Sequence, residues 1–295
     1  MSILDSRFSL WLLQLLSWLP LPLLRLLGSL AGLWIGYVPG RRFETCLTNL
    51  RLCYPGKDEV WYQSTARKSL IHEACTLLEM PRLWRLSPSR IESLAVRVSG
   101  FDLLERARVQ GKGIILVTPH FGSWEFSGLY LTGHVTMYSM YRPLKHRLID
   151  DFVRRSRQHT GAILAPADIG GVRLLLRALQ ERHAVGILPD HVPRRKEDGV
   201  MAPFFGIPAN TGVLVSRLAR RQDVVVLLIQ ARRCRGGFHV SFRAADPRVY
   251  SHDQVEAATG INAMVEAAVA EDVTQYWWSY PRFRKRLVQP ESLYR

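Results

Sequence analysis

The first hydrophobic feature of the chain is a long apolar segment near its N-terminus. Residues 8–38 contain one charged side chain, Arg25, and are otherwise almost wholly apolar. A helix that crosses a bilayer needs about 20 apolar residues, so the segment is long enough to span one. Pro20 and Pro22 each remove a helical N–H group and clash with the preceding turn, so we predict two helices, 9–19 and 21–37.

Three interpretations of this segment are open. It could be a cleaved signal peptide, although few basic residues precede it and no clear small-residue cleavage site follows. It could be a helical hairpin of the core, in which Trp11, Trp18 and Trp34 are buried. We favour a membrane anchor over residues 1–40, because Trp and Tyr near the segment ends suit a membrane interface. Arginines follow directly, which predicts a cytoplasmic location for the rest of the chain: Arg41, Arg42 and Arg51.

The remainder of the chain has the pattern of an α/β fold. Residues 61–86 carry apolar side chains at helical spacing, and from about residue 96 short apolar strands alternate with helices. The predicted strands are 113–118, 135–140, 162–164, 184–188, 224–230 and 238–242. The predicted helices are 124–131, 146–159, 170–181, 211–220 and 254–273. Because such apolar strands are buried on both faces, we expect a mixed sheet covered by helices.

The charge balance points to an anionic partner. Forty Lys and Arg against 25 Asp and Glu give a formal net charge of +15, which favours nucleic acid, anionic lipid or an acidic protein. No helix-turn-helix, zinc-finger or RNA-binding signature is visible, and the apolar N-terminus argues against nucleic acid. The four cysteines have neither C-x-x-C nor zinc spacing, so we predict no metal site and a reducing compartment.

The strongest candidate for chemistry is His120 with Glu125. His120 follows the predicted strand 113–118, and ligands of α/β sheets bind beyond the carboxyl ends of strands. Glu125 falls in the first turn of the next helix, whose dipole favours a carboxylate. A turn at Gly122 could bring His120 over that helix, so that Glu125 accepts from one imidazole nitrogen while the other takes a proton from a hydroxyl. Ser123 is predicted to be the N-cap rather than a nucleophile, since no G-x-S-x-G elbow is present.

The spacing of His120 and Glu125 alone leaves open the alternative that His120 is a structural histidine. The wider sequence provides further motifs. Ordered blocks along the chain are H-F-G-S-W-E at 120–125, Y-R-P-x-K at 141–145, Arg154 and Arg157 with Gly161, L-P-D at 188–190, G-V-M-A-P-F-F-G-I-P-A at 199–209, and Q-Y-W-W at 275–278 with R-F-R at 282–284. With these blocks the chain resembles the bacterial late (secondary) acyltransferases of lipid A biosynthesis. Ser123 and His146 stand where that family usually has Asn.

The resemblance implies a reaction, a fold and a location. An acyl group would pass from an acyl carrier protein thioester to the hydroxyl of a 3-hydroxyacyl chain on a lipid A precursor. His120 would be the general base and Glu125 its partner, without metal or cofactor, because a thioester is already activated. The resemblance also implies a glycerolipid-acyltransferase-like domain over residues 41–295, on the cytoplasmic side of the bacterial inner membrane.

Further residues are candidates for substrate binding. We predict that Arg142 and Lys145 meet a phosphate of the acceptor sugar, and that Arg154 and Arg157 bind phosphates or the acidic carrier protein. The alternative for all four is an ordinary solvated helix face.

Asp190 could pair with one of these arginines, or could merely initiate a turn. Phe204 and Phe205 could line an acyl tunnel, or could be core packing. A rival function is acyl transfer to another lipid such as lysophosphatidic acid, where an H-x4-acid motif also occurs but with Asp as its usual acid.

Overall fold

The structure is a computed structural model that describes residues 3–38, 40–144, 146–193, 195–221, 223–284 and 293–294. The α-helices of this part of the chain are α1 Ile3–Leu16, α2 Leu21–Tyr37, α3 Arg41–Cys53, α4 Glu59–Leu83, α5 Pro88–Leu94, α6 Phe101–Val109, α7 Trp124–Thr132, α8 Arg147–His159, α9 Ile169–Gln180, α10 Leu214–Ala219 and α11 Gln254–Val269. The strands are β1 Arg97–Ser99, β2 Gly113–Val117, β3 Met137–Tyr141, β4 Ile163–Pro166, β5 Ala184–Ile187, β6 Gly199–Phe204, β7 Ile207–Gly212, β8 Val224–Cys234 and β9 Gly237–Ala244.

Seven strands form one mixed sheet in the order β1-β9-β8-β2-β5-β3-β4. All neighbours are parallel except β8 and β9, which form an antiparallel hairpin. Alternate residues of the central strand β2 enter different hydrophobic clusters, Ile114 and Leu116 on one face, Ile115 and Val117 on the other. This is the alternation that a strand covered by helices on both sides requires. The predicted α/β class and mixed sheet are therefore confirmed.

Two parts of the architecture differ from the prediction. Strand β1 has three residues and was too short to stand out in the pattern. Residues 199–212 form a separate antiparallel hairpin, β6 with β7, whose Pro203 faces Pro208 across the pair. No strand was predicted here, and proline is uncommon in strands away from edges. The hairpin also takes up Thr211, so α10 begins later than the predicted helix 211–220.

The two N-terminal helices are present, with the predicted break before Leu21. Helix α2 packs one face against α4 through glycines spaced four residues apart, Gly28, Gly32 and Gly36. A Cβ atom at Gly28 would lie 2.7 Å from the Cα of Cys75, so the two backbones are in close contact. The segment is thus an integral part of the fold along one of its faces.

The opposite face of this helical pair is open. Trp11, Trp18 and Trp34 are 56%, 66% and 68% exposed, so the interpretation that buries them in a core hairpin is wrong. Large apolar side chains are exposed beside them: Phe8, Leu12, Leu15, Leu23, Leu26, Leu30 and Leu33. Within the described ranges no single helix is both long and apolar enough to cross a membrane, although α2 and α3 pass that test together as a bent pair.

A buried ion cluster ties α2 to the rest of the domain. Glu79 of α4 is fully buried and accepts from Arg25 of α2 at 2.6 Å and from Arg233 of β8 at 2.7 Å. Burial raises the pKa of Glu79. The positive charges of Arg233 and Arg25, and the hydrogen bonds that they donate, lower it by more, so the pKa lies below its ordinary value. Arg25 also donates to the carbonyl oxygens of Cys234 and Gly237, both at 3.2 Å.

Candidate active site

The site lies where β2 and β5 end side by side. These strands pair in parallel with Val117 opposite Ile187. The chain continues from β2 to His120 and from β5 to Asp190, each three residues beyond the paired position. Parallel neighbours therefore deliver the two side chains to the same edge of the sheet, the edge at which ligands of α/β folds bind.

The turn between β2 and α7 is held by backbone contacts. Gly122 has a φ of +57°, and a Cβ atom there would collide with the carbonyl oxygen of Ala231, so glycine is required. Its N–H donates to the carbonyl of Gln275 at 2.9 Å, and its own carbonyl accepts from the Thr76 hydroxyl at 2.8 Å. Elements distant in sequence thus fix the conformation of the turn that carries His120.

The carboxylate that orients His120 is Asp190. Its Oδ1 lies 2.8 Å from the His120 Nδ1, and its Oδ2 accepts from the His120 backbone N–H at 2.8 Å. Asp190 is 2% exposed. Burial raises the pKa of this carboxyl. Attraction to His120, and the hydrogen bonds that His120 donates, outweigh the effect of burial and hold the pKa well below its usual range. An ionised Asp190 makes Nδ1 the donor and leaves Nε2 of His120 as the acceptor. The predicted pairing of Asp190 with an arginine is therefore replaced by a pairing with His120.

Glu125 has other partners. It lies in the first turn of α7 as predicted, and its carboxylate accepts from Arg157 twice, Nε to Oε1 at 2.7 Å and Nη2 to Oε2 at 2.6 Å. The Trp84 indole N–H donates to Oε1 at 2.7 Å. Burial raises the pKa of Glu125, but the Arg157 charge and these hydrogen bonds lower it by more. The pKa therefore lies below its ordinary value, and the Glu125 carboxylate is ionised.

Among the described residues, the expected hydrogen bond between His120 and Glu125 is not formed. The reason is geometric: the first turn of α7 directs Glu125 toward Trp84 and α8, whereas His120 turns toward the end of β5. Ser123 occupies the N-cap position, but its hydroxyl caps no helical N–H and is buried without a partner in the described part of the chain.

Aromatic rings surround the His120 imidazole. The His191 ring is stacked on it, with centroids 3.8 Å apart and planes 7° from parallel, and Trp124 and Trp277 lie at 4.9 and 5.6 Å. Burial lowers the pKa of His191 to about 3, with repulsion from His120 when that ring is protonated as a further cause, so His191 is neutral. Sequence reasoning did not single out His191 or Trp277, although both lie within or next to the motif blocks.

A cavity of about 600 Å³ adjoins this site. His120, Glu125, Arg142 and Arg157 line it near the strand ends. Its other walls are largely apolar and include Leu129, Leu131, Met137, Leu164, Ile187 and Leu214. Gly128 of α7 also lines the cavity, and a Cβ atom there would meet nothing within 4 Å. The space combines a polar end at the imidazole with an apolar interior, the composition expected of a site for an amphiphilic substrate.

The predicted basic residues separate in the structure. Arg142 reaches the cavity, and Arg157 reaches it through its pairing with Glu125. Arg154 points outward and pairs with Asp151 at 3.1 Å on the exposed side of α8. Lys145 lies outside the described residues.

The predicted tunnel residues are part of a core cluster instead. Phe204 is 1% exposed and Phe205 lies half-buried beside it, their ring centroids 4.9 Å apart. Both belong to the cluster around Trp278 and Phe283, and neither lines the 600 Å³ cavity. The hairpin of β6 and β7 turns Phe204 toward this cluster, so core packing is the observed role of the pair.

Comparison with known proteins shows the family of this chain. A sequence model described as bacterial lipid A biosynthesis acyltransferase matches residues 5–285. The chain is 28% identical to the lipid A biosynthesis palmitoleoyltransferase of Escherichia coli (strain K12) over 291 residues, 97% of this chain and 93% of that protein. It is 28% identical over 274 residues to a lipid A biosynthesis acyltransferase of Haemophilus influenzae (91% and 86% covered). It is 26% identical over 274 residues to the E. coli lipid A biosynthesis lauroyltransferase (91% and 87% covered). The chain therefore belongs to the bacterial lipid A biosynthesis acyltransferase family, and it is an acyltransferase.

Proposed function

We propose that this enzyme transfers a fatty acyl chain from an acyl carrier protein thioester to the hydroxyl of a 3-hydroxyacyl chain on a lipid A precursor. The observation that carries the proposal is the clamp of His120 by both oxygens of Asp190, at the polar end of an apolar cavity of about 600 Å³. The clamp makes Nε2 the free acceptor, and the cavity provides room for a fatty chain beside it.

The proposed reaction uses His120 first as base and then as acid. Nε2 accepts the proton of the acceptor hydroxyl while that oxygen attacks the thioester carbonyl carbon. The tetrahedral oxyanion then collapses, the C–S bond breaks, and the leaving thiolate takes the proton from Nε2. Asp190 stays ionised throughout and stabilises the imidazolium that forms between the two steps. A positioned base of this kind contributes about 10²–10⁴-fold in rate.

In this mechanism Glu125 is a positioning residue rather than the direct partner of the imidazole. Two of the three guanidinium nitrogens of Arg157 are held by Glu125. The third, Nη1, has no hydrogen-bond partner among the residues that the structure describes, and the side chain lines the same cavity as His120. Arg157 would therefore present a fixed positive charge to the developing oxyanion or to an acceptor phosphate, and Arg142 a second one.

We further propose that the exposed apolar face of α1 and α2 lies in the membrane interface, on the cytoplasmic side. Its support is the set of large exposed tryptophans and leucines that both helices carry. Helices with such a face bind membranes by burying it at the boundary of headgroups and acyl chains. This placement would bring a membrane-borne acceptor to the enzyme.

The test is acyl transfer with purified enzyme in mixed micelles. The donor is an acyl carrier protein thioester, and the acceptor is either a lipid A precursor with a free 3-hydroxyacyl hydroxyl or lysophosphatidic acid. Mass spectrometry should detect one added acyl chain on the lipid A precursor and none with the His120→Ala variant. Acylation of lysophosphatidic acid alone would contradict the proposed acceptor, and full activity of His120→Ala would contradict the proposed base.

A further inference from the structure

A cavity separate from that of the active site lies between α1 and α8. Its volume is about 720 Å³, within the roughly 300–1,000 Å³ of ligand pockets. Its apolar lining consists of Leu10 from α1, Trp84 from the end of α4, and Leu148 and Phe152 from α8. Phe152 packs edge-on against Trp84 with centroids 6.1 Å apart. We refer to this cavity as the α1–α8 groove.

The groove has a cationic rim. Arg85 and Arg155 line it, both exposed, and His159 lies at its edge. Its one carboxylate, on Asp151, is already paired with Arg154 at 3.1 Å and with Arg147 at 3.9 Å. Arg155 has no acidic partner in the described ranges of the chain. A surplus of arginine beside an apolar floor matches a ligand with a phosphate at one end and a hydrocarbon at the other.

The groove is distinct from the catalytic cavity but is linked to it through Trp84 and helix α8. No described residue lines both cavities. The Trp84 ring lies in the groove, while its indole N–H bonds the Glu125 carboxylate. Helix α8 likewise directs Phe152 into the groove and Arg157 to Glu125. A ligand in the groove would contact Trp84, which bonds Glu125, and the helix that carries Arg157, without competing for His120.

The surroundings indicate where the ligand comes from. The groove includes Leu10 of the helix whose neighbouring residues Trp11 and Leu15 are among the exposed apolar side chains. Arg85, on its rim, also stacks its guanidinium 3.6 Å above the exposed Trp18 ring. The groove thus borders exposed apolar side chains of the N-terminal helices, where lipid would lie.

From this geometry we propose that the α1–α8 groove binds an anionic phospholipid of the surrounding bilayer. An acyl chain packs on Leu148, Phe152 and Trp84, and the headgroup phosphate accepts hydrogen bonds from Arg85 and Arg155. The bound lipid braces the Trp84 and α8 contacts of Glu125. This site goes beyond the transfer reaction, because it holds a lipid that is neither donor nor acceptor.

The test counts bound lipid directly. Full-length enzyme is taken from nanodiscs of equal phosphatidylglycerol and phosphatidylcholine, and native mass spectrometry measures the lipid that is retained. Wild-type enzyme should retain phosphatidylglycerol in preference. Arg85→Gln with Arg155→Gln should lower that preference on the order of tenfold, as expected for the loss of two cations facing an anionic lipid. Ser156→Trp, which fills the groove without a change of charge, should lower it as well.

Two controls separate the groove from general surface charge and from catalysis. Arg173→Gln removes a charge from an exposed position of α9, outside the groove, and should keep the preference. His120→Ala should retain lipid as the wild type does, whatever its effect on transfer. An equal loss with Arg173→Gln, or full retention by Ser156→Trp, would overturn the site. Displacement by glycerol phosphate alone, or by one equivalent of lipid A precursor, would overturn the bilayer phospholipid as its occupant.

Discussion

Replacing Asp190 by Asn tests the core of the proposed mechanism. Of the two bonds between Asp190 and His120, only the one from Nδ1 gains strength when the imidazole takes up a proton, because the backbone N–H is unchanged. A hydrogen bond to a charged group contributes about 1.5–3 kcal/mol net. At about 1.36 kcal/mol for each factor of ten in rate, losing it lowers kcat by about 10–100-fold.

The loss in kcat becomes larger if the Asn amide changes which nitrogen of the imidazole carries the proton. An Asn side chain can turn its NH₂ group toward Nδ1, which would place the ring proton on Nε2 and remove the acceptor. The equivalent change in a serine protease triad lowers kcat by about 10⁴. We therefore expect Asp190→Asn to lower kcat by about 10–10⁴-fold with KM little changed, because Asp190 lies behind the imidazole.

The assay is acyl transfer followed by mass spectrometry over a range of acceptor concentrations. His120→Ala and the double variant with Asp190→Asn should be equally slow, since Asp190 acts through His120. The matched control is Asp246→Asn, at a surface carboxylate that bonds Arg248 at 2.7 Å and should leave kcat unchanged. Wild-type kcat in Asp190→Asn, or independent losses that add in the double variant, would refute the reasoning.

Three further predictions concern the surrounding structure. Glu125→Gln should lower the free energy of unfolding by roughly 2–3 kcal/mol, measured by urea titration, because it leaves Arg157 without its counter-charge; part-exposure of Arg157 keeps the loss below that of a fully buried pair. Gly128→Leu should shorten the preferred acyl chain by roughly two to four methylenes in product mass spectra, since its side chain would extend into the cavity; an unchanged chain length would place the acyl chain elsewhere. Gly32→Leu should lower the thermal midpoint by several degrees, since its Cβ would collide with the Ile71 backbone; an unaltered midpoint would mean that α2 is not packed on α4.

The fold class and the position of His120 could be read from the sequence because they depend on local patterns. Apolar runs marked β2 and β5, and proline marked the start of α2. The partner of His120 could not be predicted from the sequence, because it depends on which strands are neighbours in the sheet. Once Val117 faces Ile187, His120 and Asp190 fall at equal distances beyond the pair. A sequence separation of 70 residues conceals that equality until the strand order is known.

The glycines of α2 show a second limit of pattern reading. The segment reads as lipid-facing by hydropathy, and its tryptophans are indeed exposed. Glycine at every fourth position marks a helix face that another backbone approaches closely, yet it contributes little to hydropathy. The suggestion that Phe204 and Phe205 line an acyl tunnel failed for a related reason. Whether an aromatic pair lines a cavity or packs in a core is decided by the hairpin that carries it.

The ion cluster of Arg25, Glu79 and Arg233 has a consequence for shortened forms of this enzyme. Deleting the apolar N-terminus is a common route to a water-soluble domain, but here it would remove one of the two cations that neutralise Glu79. It would also uncover the surface of α4 that the α2 glycines cover, around Cys75. A chain that starts after residue 40 should therefore aggregate or unfold, whereas replacing exposed leucines of α2 by polar residues should improve solubility and keep the active site intact.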